Sequence, residues 1–140
     1  MKTYILKFDG ACKQNPGQGA SAAVIYEKNN NQTIIIGKVA EYFSHTTNNI
    51  AEYNALLIGL KKAIKLDIKN IEIYGDSMLV IKQIKGEYKI KNERLKEIYL
   101  DILTLLTKFD TFSIEHVYRN NNVDADALAN LCVLLKNDIE

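Results

Sequence analysis

Ile71-Glu72-Ile73-Tyr74-Gly75-Asp76-Ser77, followed at once by Met78 to Ile84, is the stretch on which the fold turns. Four strand-prone residues stop at Gly75-Asp76-Ser77, and a short helical segment begins. A second long amphipathic helix is expected from Glu93 to Lys108, with Leu95, Ile98, Ile102 and Leu105 on one face. Phe112 to Val117 reads as the last strand. Asn120-Asn121-Asn122 is a loop, and Asp124 to Leu135 a last helix that buries Ala125, Leu128, Ala129 and Cys132. Upstream of Ile71, Ile50 to Lys65 carries Ala51, Ala55, Leu56, Leu60, Ala63 and Ile64 at helical spacing, behind the cap-rich segment His45 to Asn49.

The first third of the chain has a different grammar. Tyr4 to Phe8 is apolar and stops at Asp9-Gly10; the loop that follows holds Asn15, Gly17, Gly19 and the only proline, Pro16. Ala20 to Glu27 and Thr33 to Val39 are strand-like and joined by the turn Asn29-Asn30-Asn31, so these three strands predict an antiparallel meander. The order β-β-β-α-β-α-α-β-α predicts an α/β domain with a five-stranded mixed sheet, antiparallel on one side and parallel on the other, with helices packed on it. Residues 1–140 read as a single domain, with no internal repeat, low-complexity segment or linker.

Composition narrows the class without naming a function. Hydrophobic residues make up 47% and charged residues 25%, ordinary for a globular domain. With 18 Lys+Arg against 17 Asp+Glu, the net charge of +1 neither demands nor excludes a nucleic-acid partner, so any basic footprint must be local. Cys12 and Cys132 lack metal-type spacing and read as reduced thiols of a cytoplasmic protein. The N-terminus shows no signal-peptide pattern, and no apolar run approaches membrane-spanning length.

Four acids fall where chemistry gathers in such a sheet. Asp9 is expected at the end of the first strand and Asp76 at the end of the fourth; Glu52 and Asp126 are expected in the first turns of two helices. The carboxyl ends of parallel strands and the starts of the following helices share one edge. If the first and fourth strands are parallel neighbours, the four carboxylates converge. Like charges this close raise one another's pKa, and hard divalent cations with oxygen ligands are the natural compensation. Two ions roughly 3.5–4 Å apart clamp the attacking and leaving oxygens of a phosphodiester. Taken singly each acid has a simpler explanation: the macrodipole for Glu52 and Asp126, a turn for Asp9, a cap for Asp76. Two strand-end aspartates and two helix-start acids together ask for a shared reason. No zinc-type cluster, P-loop, nucleophile elbow or dinucleotide glycine motif competes.

At this point a family comes into view. Asp9-Gly10-Ala11-Cys12-Lys13-Gln14-Asn15-Pro16-Gly17, Thr46-Thr47-Asn48-Asn49-Ile50-Ala51-Glu52, Tyr74-Gly75-Asp76-Ser77 and Arg119 to Asn130 resemble, in order, the four motifs of type 1 ribonucleases H. The resemblance covers essentially the whole chain. It implies a ribonuclease H-like fold and an endoribonuclease that cuts the RNA strand of an RNA/DNA hybrid, leaving 5′-phosphate and 3′-hydroxyl ends. It implies two Mg²⁺ ions, with Mn²⁺ a possible substitute, held by Asp9, Glu52, Asp76 and Asp126. Asp124 competes with Asp126 in the fourth motif. Asp126 is chosen because it follows Ala125 and precedes Leu128-Ala129-Asn130, while Asp124 reads as a cap or first-turn acid. The substrate-binding set is Gly10, Cys12, Asn15, Thr47, Asn48, Asn49, Ser77 and Arg119. Loop backbone near Cys12 and the amides of Asn15, Asn48 and Asn49 suit a ribose 2′-hydroxyl, the group that separates RNA from DNA. Thr47 is a candidate contact to a DNA phosphate. Loop and cap chemistry is the competing reading of the asparagines.

Three departures qualify the resemblance. Longer members carry a basic protrusion between the middle helices; here Gly86 to Lys91 leads straight to Glu93, although Lys82, Lys85, Lys89, Lys91, Arg94 and Lys96 cluster there. They are candidate phosphate contacts or simply a solvated face. The loop before the last helix lacks the histidine of longer members and has Arg119 in its region, while His116 reads as a strand residue. No separate hybrid-binding domain is expected, and a monomer is the default. The alternatives are a different nuclease on the same scaffold and a non-catalytic nucleic-acid-binding module.

Overall fold

Backbone pairing, more than side-chain pattern, sets the length of the first three strands. The computed structural model describes residues 1–140, and in it β1 spans Lys2–Cys12, β2 Gly17–Asn29 and β3 Gln32–Thr46. β1 and β2 pair antiparallel from Lys2↔Asn29 to Cys12↔Gly19. Asp9 is therefore not the end of its strand: Gly10, Ala11 and Cys12 continue the ladder against Ser21, Ala20 and Gly19. β3 likewise runs on through His45, which the sequence assigned to a polar cap segment. Asn30 takes a left-handed conformation, φ 58°, in the β2–β3 turn.

The rest of the chain follows the expected order. α1 spans Asn48–Lys65, β4 Asn70–Gly75, α2 Met78–Ile84, α3 Glu93–Leu106, β5 Thr111–His116 and α4 Val123–Leu135, with a single 3-10 turn at Arg119–Asn121. Caps explain several boundaries: the Thr47 Oγ1 accepts from the Ile50 N–H at 3.2 Å, and the Asn92 Oδ1 accepts from Arg94 and Leu95 at 2.9 and 3.1 Å. Such caps contribute about 1 kcal/mol each. Because Thr47 caps it, α1 begins two residues earlier than expected, so Glu52 lies in its second turn rather than its first.

The sheet order is β3-β2-β1-β4-β5. β1 and β4 are parallel from Ile5↔Glu72 to Phe8↔Gly75, and β4 and β5 are parallel along their length. Alternation along β1 and β2 gives the sheet two apolar faces. On one, Leu6, Phe8, Ala23 and Ile25 pack with Tyr53, Leu56, Leu60, Ile73, Val80 and Ile102 under α1, α2 and α3. On the other, Ala20, Ala22 and Val24 receive α4 through Ala125, Leu128, Ala129 and Cys132. The alanines let α4 lie close. No helix is long and apolar enough to cross a membrane.

Two glycines bring the layers together at one edge of the sheet. A Cβ on Gly10 would stand 2.6 Å from the Glu52 nitrogen, so α1 can approach β1 there only because Gly10 has no side chain. A Cβ on Gly75 would run into the Phe8 ring. β3 is a sheet edge, and the C-terminal residues cover part of it. Ala40 and Ile139 exchange backbone bonds of 2.8 and 2.9 Å, and the Tyr42 N–H donates to Asp138 at 2.8 Å. The other half of that edge stays open, with Ile34 47% and Ile35 43% exposed.

Candidate active site

Asp9, Glu52 and Asp76 meet where β1 and β4 part. Asp9 is the first residue beyond the parallel register, Asp76 follows the last residue of β4, and α1 brings Glu52 over Gly10. One oxygen from each lies within 4.8 Å of the other two. The Gly10 N–H donates to Asp9 Oδ1 at 2.9 Å and to Glu52 Oε1 at 3.0 Å, so one amide orients both carboxyls. Asp9 is only 4% exposed.

The electrostatics are unfavourable for three bare carboxylates. Burial pushes the Asp9 carboxyl well above its ordinary range, and Glu52, Asp76 and Asp126 push it further the same way. Burial also raises Glu52, opposed by hydrogen bonds from Asp9 and the Gly10 N–H and by the Arg119 guanidinium. Glu52 Oε2 and Asp76 Oδ2 are buried without any partner. Buried polar atoms normally have one. An all-oxygen donor set with two orphaned oxygens fits a hard divalent cation.

Asp126 joins this group at its margin: its carboxyl is outside the mutual 4.8 Å cluster but reaches Asp9 in a side-chain hydrogen bond. It lies in the first turn of α4 on the opposite face, and Asn130 Nδ2 donates to its carbonyl and its Oδ1 at 2.9 and 3.3 Å. Asp124, the competing acid, points elsewhere and accepts from the Tyr26 hydroxyl. The other expected residues divide. Gly10 is at the centre. Asn15 Oδ1 accepts from the Asn48 N–H at 3.1 Å, which joins the β1–β2 loop to the start of α1 and leaves both asparagines exposed. Asn49 is exposed beside them. The Cys12 thiol is turned into its own loop, donating to the Gln14 carbonyl at 2.7 Å. Ser77 caps α2, as Thr47 caps α1. Arg119 is exposed, near enough to Glu52 to act on its charge. Of the basic cluster, Lys82, Lys85 and Lys96 pair with Glu87, Glu115 and Glu93, while Lys89, Lys91 and Arg94 make no ion pair.

Comparison with known proteins places this arrangement. The family model described as "Reverse transcriptase-like" matches residues 7–132. The N-terminal RNase H domain of a Mycobacterium tuberculosis protein superposes with a TM-score of 0.89 at 30% identity, over 96% of each chain. The chain belongs to the ribonuclease H family. Another member, the ribonuclease HI of Halobacterium salinarum, is 39% identical over 123 residues, 88% of this chain and 60% of that protein. The LC11 RNase H1, solved in complex with an RNA/DNA hybrid, superposes with a TM-score of 0.87 at 28% identity over 96% and 99% of the two chains. The chain spans only 34% of the curated mycobacterial relatives it matches at 33% identity. In this member of the family residues 85–92 alone connect α2 to α3.

Residues outside the expected site set hold the site from behind. Asn122 donates from Nδ2 to the Phe8 carbonyl at 2.8 Å, and Lys7 Nζ donates to the Asn121 carbonyl at 2.9 Å. Tyr53, next to Glu52, donates to Gln83, whose Nε2 donates to the Lys89 carbonyl at 3.0 Å. Asn122 is the asparagine of the fourth motif, four residues before Asp126, but the motif does not say what its side chain holds, and beside Asn120 and Asn121 it reads as loop chemistry.

Proposed function

We propose that the chain is an endoribonuclease that hydrolyses the RNA strand of RNA/DNA hybrids with two divalent cations, Mg²⁺ or in substitution Mn²⁺, leaving 5′-phosphate and 3′-hydroxyl ends. The observation that carries this reading is the group of buried Asp9 with half-buried Glu52 and Asp76, two of whose oxygens are buried without a partner. Family membership and the hybrid bound by the LC11 relative support the substrate.

Asp9, Glu52, Asp76 and Asp126 would hold the ions. When bound, such ions supply a nucleophilic water at neutral pH and charge stabilisation for the phosphoryl transition state. The Gly10 N–H keeps Asp9 and Glu52 turned to the same point. Asn15, Asn48 and Asn49, with the loop backbone at Cys12, offer neutral donors and acceptors to a ribose edge. Thr47 and Ser77 each accept one capping amide, and each hydroxyl proton is left to donate to a phosphate oxygen. Arg119 brings a positive charge to the rim of the carboxylates. The reading also takes the protein as a cytoplasmic monomer: both thiols are free. Sedimentation of the purified chain and cell fractionation test those two points.

Cleavage of a strand-labelled hybrid in Mg²⁺, with and without EDTA and with Asp126→Asn alongside, tests the proposal. RNA-strand cleavage stopped by EDTA and by the substitution is expected. An intact hybrid across metals and pH would leave a binding module on a nuclease scaffold, and cleavage of duplex DNA would mark a different nuclease.

A further inference from the structure

Asn122 breaks a local rule. It occupies the N-cap position of α4, where an asparagine side chain ordinarily accepts from an amide of the first helical turn, yet it makes no capping bond. The side chain is turned inward instead. It is 1% exposed, its Nδ2 donates to the Phe8 carbonyl at 2.8 Å, and its Oδ1 is buried without a partner. A cap forgone and an acceptor left unsatisfied both weaken the fold. Local rules broken in this way concentrate where a site needs a geometry that stability alone would not choose.

The place of the bond says what is held. Phe8 is the last residue of β1 in parallel register with β4, and Asp9 follows it. Asn122 precedes the first turn of α4, and its carbonyl accepts from the Asp126 N–H at 3.1 Å. A rigid path of bonds thus leads from the backbone that carries Asp9 to the turn that carries Asp126, across the edge of the sheet. Two contacts brace it. Lys7 Nζ holds the Asn121 carbonyl at 2.9 Å, and the Tyr26 hydroxyl donates to Asp124. Apart from this path and the Tyr26–Asp124 bond, α4 meets the sheet through apolar contacts, on Ala20, Ala22, Val24 and Ala40 among others. Such contacts fix its distance from the sheet but only weakly resist sliding along its own axis.

We infer that Asn122 is a positioning residue: its bond to the Phe8 carbonyl sets the register of α4 on β1 and thereby brings Asp126 to the carboxylate group. The inference rests on the metal-holding role proposed above for these acids. Groups that orient ligands from behind typically change metal affinity or activity by about 10–100-fold when removed.

Asn122→Ser separates capping from bridging. Serine is a good N-cap, so it restores the bond the helix lacks, but it is too short to reach Phe8. Metal binding by calorimetry in the absence of nucleic acid, the backbone amide shift of Asp126 during Mg²⁺ titration, and kcat and KM on a hybrid are measured together. Thermal unfolding in EDTA accompanies them. The expected result is a folded protein whose weaker metal affinity and kcat both fall by about tenfold or more, with KM within about twofold and an altered Asp126 response. Metal affinity and kcat within twofold of the parent, whatever the melting temperature, would overturn the inference. Should Asn122→Ser fail to fold, Lys7→Met carries the test through an exposed contact: a metal-affinity loss of about twofold or more is expected, and an unchanged affinity overturns it. If the parent binds metal as expected but cuts no hybrid, the function proposed above has failed while this inference is still read from the binding and amide-shift measurements.

Discussion

Replacing Asp9 with Asn should stabilise the metal-free protein while abolishing what the site does. The side chain is 4% exposed and faces two more carboxyls across less than 5 Å. Its folded pKa is raised, first by burial and then by Glu52, Asp76 and Asp126. A carboxyl of this kind contributes stability that is fully present below its unfolded pKa near 3.8 and is lost as pH rises through the raised folded value. Keeping at pH 7 a proton that the unfolded chain would have lost costs at most about 4 kcal/mol, at about 1.4 kcal/mol per pH unit. Glu52 shares the strain and readjusts when Asp9 is neutralised, so about half of that, about 2 kcal/mol, is the working value. Asn keeps the shape and an oxygen for the Gly10 N–H. At about 2.1 cal/mol/K per residue, the unfolding entropy of the chain is about 290 cal/mol/K, and 2 kcal/mol raises Tm by about 7 °C. Thermal unfolding by circular dichroism in EDTA at pH 7 and pH 5 is the assay. The parent should gain stability on acidification, and Asp9→Asn should be more stable at pH 7 and flatter with pH. A lower Tm for the variant in EDTA at pH 7 would refute the claim that these carboxyls are crowded into mutual repulsion, and with it the demand for a cation.

The remaining predictions concern the packing and the rim of the site. Gly10→Ala forces the Glu52 backbone away from a Cβ that would sit 2.6 Å from it; a loss of about 2 kcal/mol in urea unfolding and a collapse of turnover are expected, and a variant as stable and active as the parent would contradict the packing. Lys89→Gln, Lys91→Gln and Arg94→Gln together remove three cations with no ion pair. Hybrid affinity should fall and the slope of log affinity against log salt should shrink by about 2–3, whereas an unchanged slope would make this a merely solvated face. Arg119→Ala should lower turnover more than hybrid affinity, since the guanidinium acts on Glu52 from an exposed position; single-turnover rates alongside binding decide it, and equal turnover sinks the role.

Most of the fold was legible because its signals are local. The apolar run Ile71 to Tyr74 halted by Gly75-Asp76-Ser77, and the helical spacing from Ala51 to Ala63, survive in β4 and α1 almost residue for residue. The extent of β1 was hidden because Gly10, Ala11 and Cys12 carry no alternating pattern; pairing with Gly19 to Ser21 makes them strand. Glu52 was placed one turn too early because Thr47, three residues ahead of the first apolar position, is the cap. The clustering of Asp9, Glu52 and Asp76 was legible from topology alone. Asn122 was legible as a motif position, but its role was not, because that lies in a bond to a carbonyl 114 positions away.

The half-covered edge of β3 has a consequence for handling the protein. Its upper part is closed by Ile139 and Asp138, but from Gln32 to Lys38 the strand offers unpaired backbone beside Ile34 and Ile35. Open apolar edges are templates for intermolecular sheet growth. Colloidal failure on storage or heating should therefore begin at the β2–β3 hairpin, and a lysine at Ile35, a position with no part in the carboxylate site, is the natural gatekeeper.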